Sequence, residues 1–113
     1  MQNTLAIGDK LTRPKALGLI QHVGVFLGTN TVLNNTPERG EHISTFREFA
    51  GEAKVKVEST GANPWSVKMR ADKIVSNPKP YDPIDRNCEH TANEAVYGKP
   101  SSFQVALIGG ALS

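Results

Sequence analysis

Apolar and polar residues alternate most cleanly over residues 21–28, where Val23, Val25 and Leu27 interleave with Gly24 and Phe26. That period of two predicts a strand with at least one buried face, headed by His22. Gly28-Thr29-Asn30 reads as a tight turn and residues 31–34 as the returning strand. Upstream, the apolar run 5–7 ends in a Gly8-Asp9 turn, and residues 10–14 continue extended to a break at Pro14. Residues 17–20 lead into the His22 strand. Residues 35–42 are polar, contain Pro37 and Gly40, and are expected to form a loop.

The second half changes period. Ser44 is a plausible N-cap for a short helix over 45–50, with Phe46 and Phe49 facing inward and Gly51 as its stop. Residues 53–58 alternate again and predict a strand with one wet face. Pro64 opens a helix running to Val75, with Trp65, Met69, Ala71 and Ile74 as the expected buried positions. Residues 77–80 form a stiff connector, and 81–86 an irregular loop. Residues 91–97 then read as a helix with an Ala92, Ala95 and Val96 stripe, closed by Gly98 and Pro100. The tail, residues 103–112, is apolar and contains Gly109-Gly110. It is a candidate core helix, protein-partner segment or membrane-surface contact.

Composition narrows the function classes. With 113 residues the chain is read as one domain, 1–113, and 38% hydrophobic with 21% charged residues suits a folded soluble protein. The net charge is +2 and the pI about 8.8, without a Lys/Arg cluster interleaved with aromatics, so no nucleic-acid partner is expected. Neither a signal peptide nor a run of ~20 apolar residues is present, so a cytoplasmic location is expected.

The chemistry centres on Asn87-Cys88-Glu89-His90, which holds the chain's single cysteine. Cys88 falls in the first turn of the predicted helix. Free backbone N–H groups and the helix dipole favour an anion there, and thiol pKa values at such positions fall well below the usual ~8.5. The same N–H groups suit the oxyanion of a tetrahedral intermediate. The alternative is a small buried hydrophobe. In the hairpin, His22 and Asn34 lie near opposite ends of the paired segments and meet on one face if parity and register allow. A thiol, an imidazole and an orienting amide form the arrangement of cysteine hydrolases. His90, two residues from Cys88, does not face it on a helix and is assigned a structural role. His42 is expected in solvent, Asn87 as a helix cap and Glu89 as a surface charge. Tyr81 and Trp65 are candidates for a pocket wall, with core packing as their default. Cys88, His90, His22 and His42 are nominal zinc ligands but lack the usual close spacing, so neither metal nor other cofactor is expected.

The combination His22-Val-Gly-Val-Phe-Leu-Gly28, a polar residue closing the next strand, and Asn87-Cys-Glu-His90 followed by Tyr97-Gly98 resembles the lecithin retinol acyltransferase-like family. Ile7-Gly8-Asp9 and Ser102-Phe103-Gln104-Val105 extend the likeness to both edges. The resemblance implies an α+β, permuted papain-like (NlpC-type) fold in which an antiparallel sheet packs against the cysteine-bearing helix. It implies Cys88 as nucleophile, His22 as general base and Asn34 as the orienting residue of an acyl hydrolase or acyltransferase. Asn34 stands where lipid-modifying members often carry histidine, and is closer to the papain arrangement. Thr91 stands where an aromatic residue is usual. The substrate is thus expected to be a lipid ester or, as in papain-like amidases, peptidases and secreted effector toxins, an amide in a peptide or protein. Non-catalytic binding on the same fold is the alternative from another class.

Overall fold

The computed structural model describes residues 4–15, 18 and 20–102. Five antiparallel strands form one sheet in the order β4-β3-β2-β1-β5. They are β1 (Lys10–Lys15), β2 (Ile20–Gly28), β3 (Thr31–Thr36), β4 (Gly40–Thr45) and β5 (Lys56–Glu58). Three helices accompany them: α1 (Phe46–Ala50), α2 (Pro64–Ser76) and α3 (Cys88–Tyr97). The α+β arrangement of an antiparallel sheet packed against the cysteine-bearing helix is therefore present. The predicted 103–112 tail segment, like Leu17 and Leu19, lies outside the described residues.

The β2–β3 hairpin closes through Thr29 (φ 48°) and Asn30 (φ 59°). Positive φ at both central residues matches the right-handed twist of paired strands. The pairing recorded for this hairpin runs from Val25↔Leu33 to Gly28↔Thr31. β1, in contrast, pairs with β2 as far as Lys15↔Ile20. The head of β2, with Gln21, His22 and Val23, is thus bound to β1 on one edge, and no pairing with β3 is recorded on the other.

Strand parity sorts the core into two layers. Val23, Val25, Leu27 and Leu33 point to one face and pack with Val67, Ala71 and Ile74 of α2 and with Cys88, Ala92, Ala95 and Val96 of α3. Leu11, Val32 and Phe49 of α1 form the opposite layer. Gly24 belongs to that second face. A Cβ there would lie 2.7 Å from both Phe49 Cε1 and Val32 Cγ1. The bare position lets the Phe49 ring lie against the sheet.

Four sequence expectations are corrected. Residues 35–42 are not one loop, because β3 runs to Thr36 and β4 begins at Gly40. β4 is an edge strand held by a six-residue register with β3, Thr31↔Thr45 to Thr36↔Gly40, and its polar side chains leave no apolar alternation to read. The 53–58 strand contracts to Lys56–Glu58, and the α1 cap is Thr45 rather than Ser44, with Glu48 completing a capping box. On α2 the buried residues are Val67, Ala71 and Ile74, whereas Trp65 is 72% and Met69 56% exposed. The i, i+4, i+7 row through Val67 meets the sheet, and the row through Trp65 and Met69 faces outward.

A buried polar network sets the start of α3 against β3 and β4. Glu41 of β4 accepts from Arg86 Nε (2.7 Å), Thr91 Oγ1 (2.7 Å) and the Lys79 backbone N–H (2.8 Å), and its Oε2 lies in an ion pair 2.6 Å from Arg86 Nη2. Arg86 also pairs with Glu94 at 2.6 Å. Asn35 donates to Arg86 O and Thr91 Oγ1. Every oxygen of the Glu41 carboxylate is engaged, which offsets its removal from water.

Candidate active site

Cys88 is the first residue of α3, and its surroundings follow from the Asn87 cap. Asn87 Oδ1 accepts the N–H groups of Glu89 (2.9 Å) and His90 (3.1 Å), and the Asn87 N–H donates back to His90 Nδ1 at 3.0 Å. The Thr91 N–H bonds to Asn87 O. Those bonds use three of the four first-turn donors, leaving the Cys88 N–H with no hydrogen-bond partner among the described residues. The helix ends at Gly98 in the left-handed conformation, φ 81°. Asn87 is thus the cap, and His90 is structural, closing the cap from its far side.

The thiol is buried, with Cys88 3% exposed. Sγ donates to Gln21 O at 3.7 Å. The backbone N–H groups of Val23 and Glu89 favour its ionised form, as does Lys15. Gln21 and Val23 share parity on β2, so both present backbone groups to the edge where no β3 pairing is recorded. The sulfur therefore lodges at the free edge of β2, against the peptide groups that flank His22. Burial nonetheless dominates and pushes the Cys88 thiol above its ordinary 9.0. The expected fall in pKa at a helix start is not found, because desolvation of the thiolate outweighs the helix-end donors.

His22 lies on the opposite face. Its ring stacks on Phe49 with centroids 5.0 Å apart and 26° between planes. Asn34 shares the face and is a hydrogen-bonding neighbour of the ring that favours its protonated form. The Asn34 amide nitrogen donates to Ser44 Oγ (3.0 Å) and Val32 O (3.3 Å), so its oxygen is what remains for the imidazole. An oxygen acceptor on one ring nitrogen leaves the lone pair on the other. Nδ1 is buried and has no hydrogen-bond partner. Burial first, then Lys15 and Arg13, lower the His22 pKa from 6.5 to about 4, so the ring is neutral at pH 7.

The fold therefore brings His22 and Asn34 together on one face and sets Cys88 against the backbone on either side of His22. No hydrogen bond joins the thiol to the ring. At rest both are neutral. Burial holds the thiol protonated and the imidazole unprotonated. A stored thiolate–imidazolium pair is not the resting state.

The remaining candidates separate clearly. Tyr81 is half-buried, and burial followed by the charge of Cys88 raises its phenol above the usual 10.0. Trp65 is on the solvent side of α2. Glu89 is buried rather than a surface charge, accepting from Ser102 Oγ at 2.6 Å. His42 is half-buried, its Nδ1 2.7 Å from Gly40 O. Among the described residues no group of three or more His, Cys, Asp and Glu side chains converges as a metal site, and no helix is long and apolar enough to cross a membrane.

Sequence reasoning missed Arg13, Lys15 and Arg39, which border the cavities beside His22. A signal existed for the first two. Arg13 and Lys15 are two apart in a strand and so share a face, and Arg13 pairs directly with His22. Compared with protein-family models and with curated proteins, the chain matches none.

Proposed function

We propose that this protein is a cysteine-nucleophile acyl hydrolase or acyltransferase of permuted papain-like architecture, with Cys88, His22 and Asn34 as its catalytic residues. The supporting observation is the bare, buried His22 Nδ1 one residue from each of the two peptide groups that bracket the Cys88 sulfur. An unpaired buried nitrogen costs stability, and a general base needs just such an open lone pair.

In the proposed reaction the His22 ring turns around the free edge of β2 toward the sulfur, and the Cys88 proton passes to Nδ1 as Sγ attacks the carbonyl carbon of an ester or amide. The Val23 and Glu89 N–H groups meet the developing charge on sulfur, and the open Cys88 N–H meets the oxyanion. Collapse of the tetrahedral intermediate breaks the bond to the leaving alcohol or amine, which takes the proton from His22. Water or an acceptor alcohol or amine then attacks the thioester, the acyl group departs, and the thiol is restored. Because the resting pair is neutral, proton transfer accompanies attack. Asn34 keeps the ring in the tautomer that can accept the proton.

The test is turnover of a panel of esters and amides by wild type and Cys88→Ala. Loss of turnover with an unchanged circular dichroism spectrum is expected; turnover that survives the substitution ends the enzyme reading. The raised thiol pKa favours a second reading, a non-catalytic binding protein on the same fold. Iodoacetamide labelling against pH separates the two. An inert thiol that titrates at or above 9.0, indifferent to His22→Ala, supports binding alone. Vesicle hydrolysis scored for free fatty acid distinguishes a lipid ester from an amide.

A further inference from the structure

We propose that the site takes acyl substrates carrying an anionic group, a carboxylate or a phosphate, close to the scissile carbonyl, and that Arg13 and Lys15 hold it. This rests on the acyl-transfer reading above and names its substrate class.

Register carries the argument. Arg13 is the direct cross-strand partner of His22 in the β1–β2 ladder, and Lys15 lies two residues further along the same face. Two cavities, of ≈ 180 and ≈ 240 Å³, adjoin His22. Arg13 and Glu38 border both, Lys15 the larger, and Arg39 and Glu48 the smaller. None of the three cations is within ion-pair distance of a carboxylate, since both ion pairs among the described residues belong to Arg86. Arg13 is anchored by Nε on Phe49 O (2.7 Å) and Nη1 on Pro14 O (3.1 Å), which leaves Nη2 available. Of the two acidic residues, Glu48 is committed through Oε1 to the Thr45 backbone N–H at 2.9 Å. The wall beside His22 therefore carries more cation than it uses internally.

The charges reach the chemistry. Lys15 and Arg13 disfavour the protonated His22, and Lys15 favours the Cys88 thiolate. An anion seated on them cancels two charges that oppose His22 as a base and one that supports the thiolate, a net gain through Arg13, which acts on His22 alone. Substrate binding thereby assists proton transfer, and a neutral acyl compound does not.

The first experiment compares alkylation of Cys88 by iodoacetate, the carboxylate probe, with that by neutral iodoacetamide, using N-acetylcysteine as the reference thiol. The iodoacetate-to-iodoacetamide rate ratio is expected to exceed the reference by roughly tenfold at low salt. It should fall about threefold in Arg13→Gln and in Lys15→Gln and reach the reference in the double variant, with folding checked by circular dichroism. Lys15 makes no side-chain hydrogen bond among the described residues, so Lys15→Gln reads the charge without disturbing an anchor there. A wild-type ratio equal to the reference overturns the proposal, as does a thiol that neither reagent reaches. The second experiment measures turnover of 4-nitrophenyl hemisuccinate, 4-nitrophenyl butyrate and acetyl phosphate. Preference for the first over the second supports a carboxylate on the acyl side, and preference for the third a phosphate leaving group. Equal rates on all three overturn the substrate class while leaving acyl transfer standing. Selective alkylation with no turnover of any ester instead removes the acyl-transfer reading and keeps the anion site.

Discussion

Gly24 couples the fold to the imidazole, so Gly24→Ala is an informative single-methyl change. The added Cβ would sit 2.7 Å from Phe49 Cε1, 2.7 Å from Val32 Cγ1 and 3.1 Å from Leu33 O. Carbon pairs are comfortable at ~3.5–4.0 Å, so the ring and the valine must each retreat by about 1 Å. Val32 is fully buried and Phe49 is 2% exposed, and packed cores resist such movement at a cost of about 1–3 kcal/mol. For a chain of this size that corresponds to a fall in Tm of roughly 5–15 °C. The Phe49 ring is also the stacking partner of His22 at 5.0 Å, so its displacement moves the proposed base. Thermal and urea unfolding give the stability change, and the His22 Cε1 proton shift reports the stack. Gly24→Ala/Phe49→Leu removes the ring edge and should recover part of the loss, a positive coupling in a double-mutant cycle. An unchanged Tm in Gly24→Ala, or an undisturbed His22 shift, would refute this account of the glycine.

Three further outcomes follow from named contacts. His22 is held at about 4 when folded against 6.5 when unfolded, so between those values the unfolded chain binds the extra proton. Stability should fall by about 3 kcal/mol as pH drops from 6.5 to 4, and urea midpoints should show that fall largely absent in His22→Asn. Glu41→Ala leaves Arg86 with one of its two carboxylates and strands Thr91 and Lys79 donors; a loss of about 3–5 kcal/mol is expected by urea unfolding. Asn34→Ala removes the group that fixes the imidazole tautomer and should lower kcat by about 10²-fold with a residual rate, whereas Asn34→Gln should recover little because the longer amide cannot keep both the Ser44 and Val32 bonds.

The sequence was most legible where one physical rule governed one segment. The β2–β3 hairpin combined strict alternation with a two-residue turn, and Asn87 and Gly98 are short-range capping signals that need no tertiary context. β4 was hidden because edge pairing is a backbone bond to β3, and Glu41, His42 and Ser44 carry no alternation that betrays it. Trp65 and Met69 were placed inward because large apolar residues outrank Val67 by area, yet the face that meets the sheet was decided by the row of small residues able to approach it. Glu89 was misread because burial of a carboxylate depends on partners, and Ser102 is thirteen residues away. The pKa of Cys88 was misjudged for a related reason: a helix start can be recognised locally, but the desolvation that overrides it comes from the tertiary core packed around the thiol.

For the proposed site, the decisive quantity is a covalent acyl group on one sulfur. Wild type should be mixed with an activated ester at pH 7.5, quenched in acid within seconds, and weighed intact with the modified residue mapped. A single added acyl mass on Cys88 is predicted, accumulating at least a hundredfold more slowly in His22→Ala and decaying with time in wild type. Acyl transfer to Cys88 at the same rate with and without the imidazole, or acylation only of lysines, would contradict the claim that His22 makes this thiol a nucleophile.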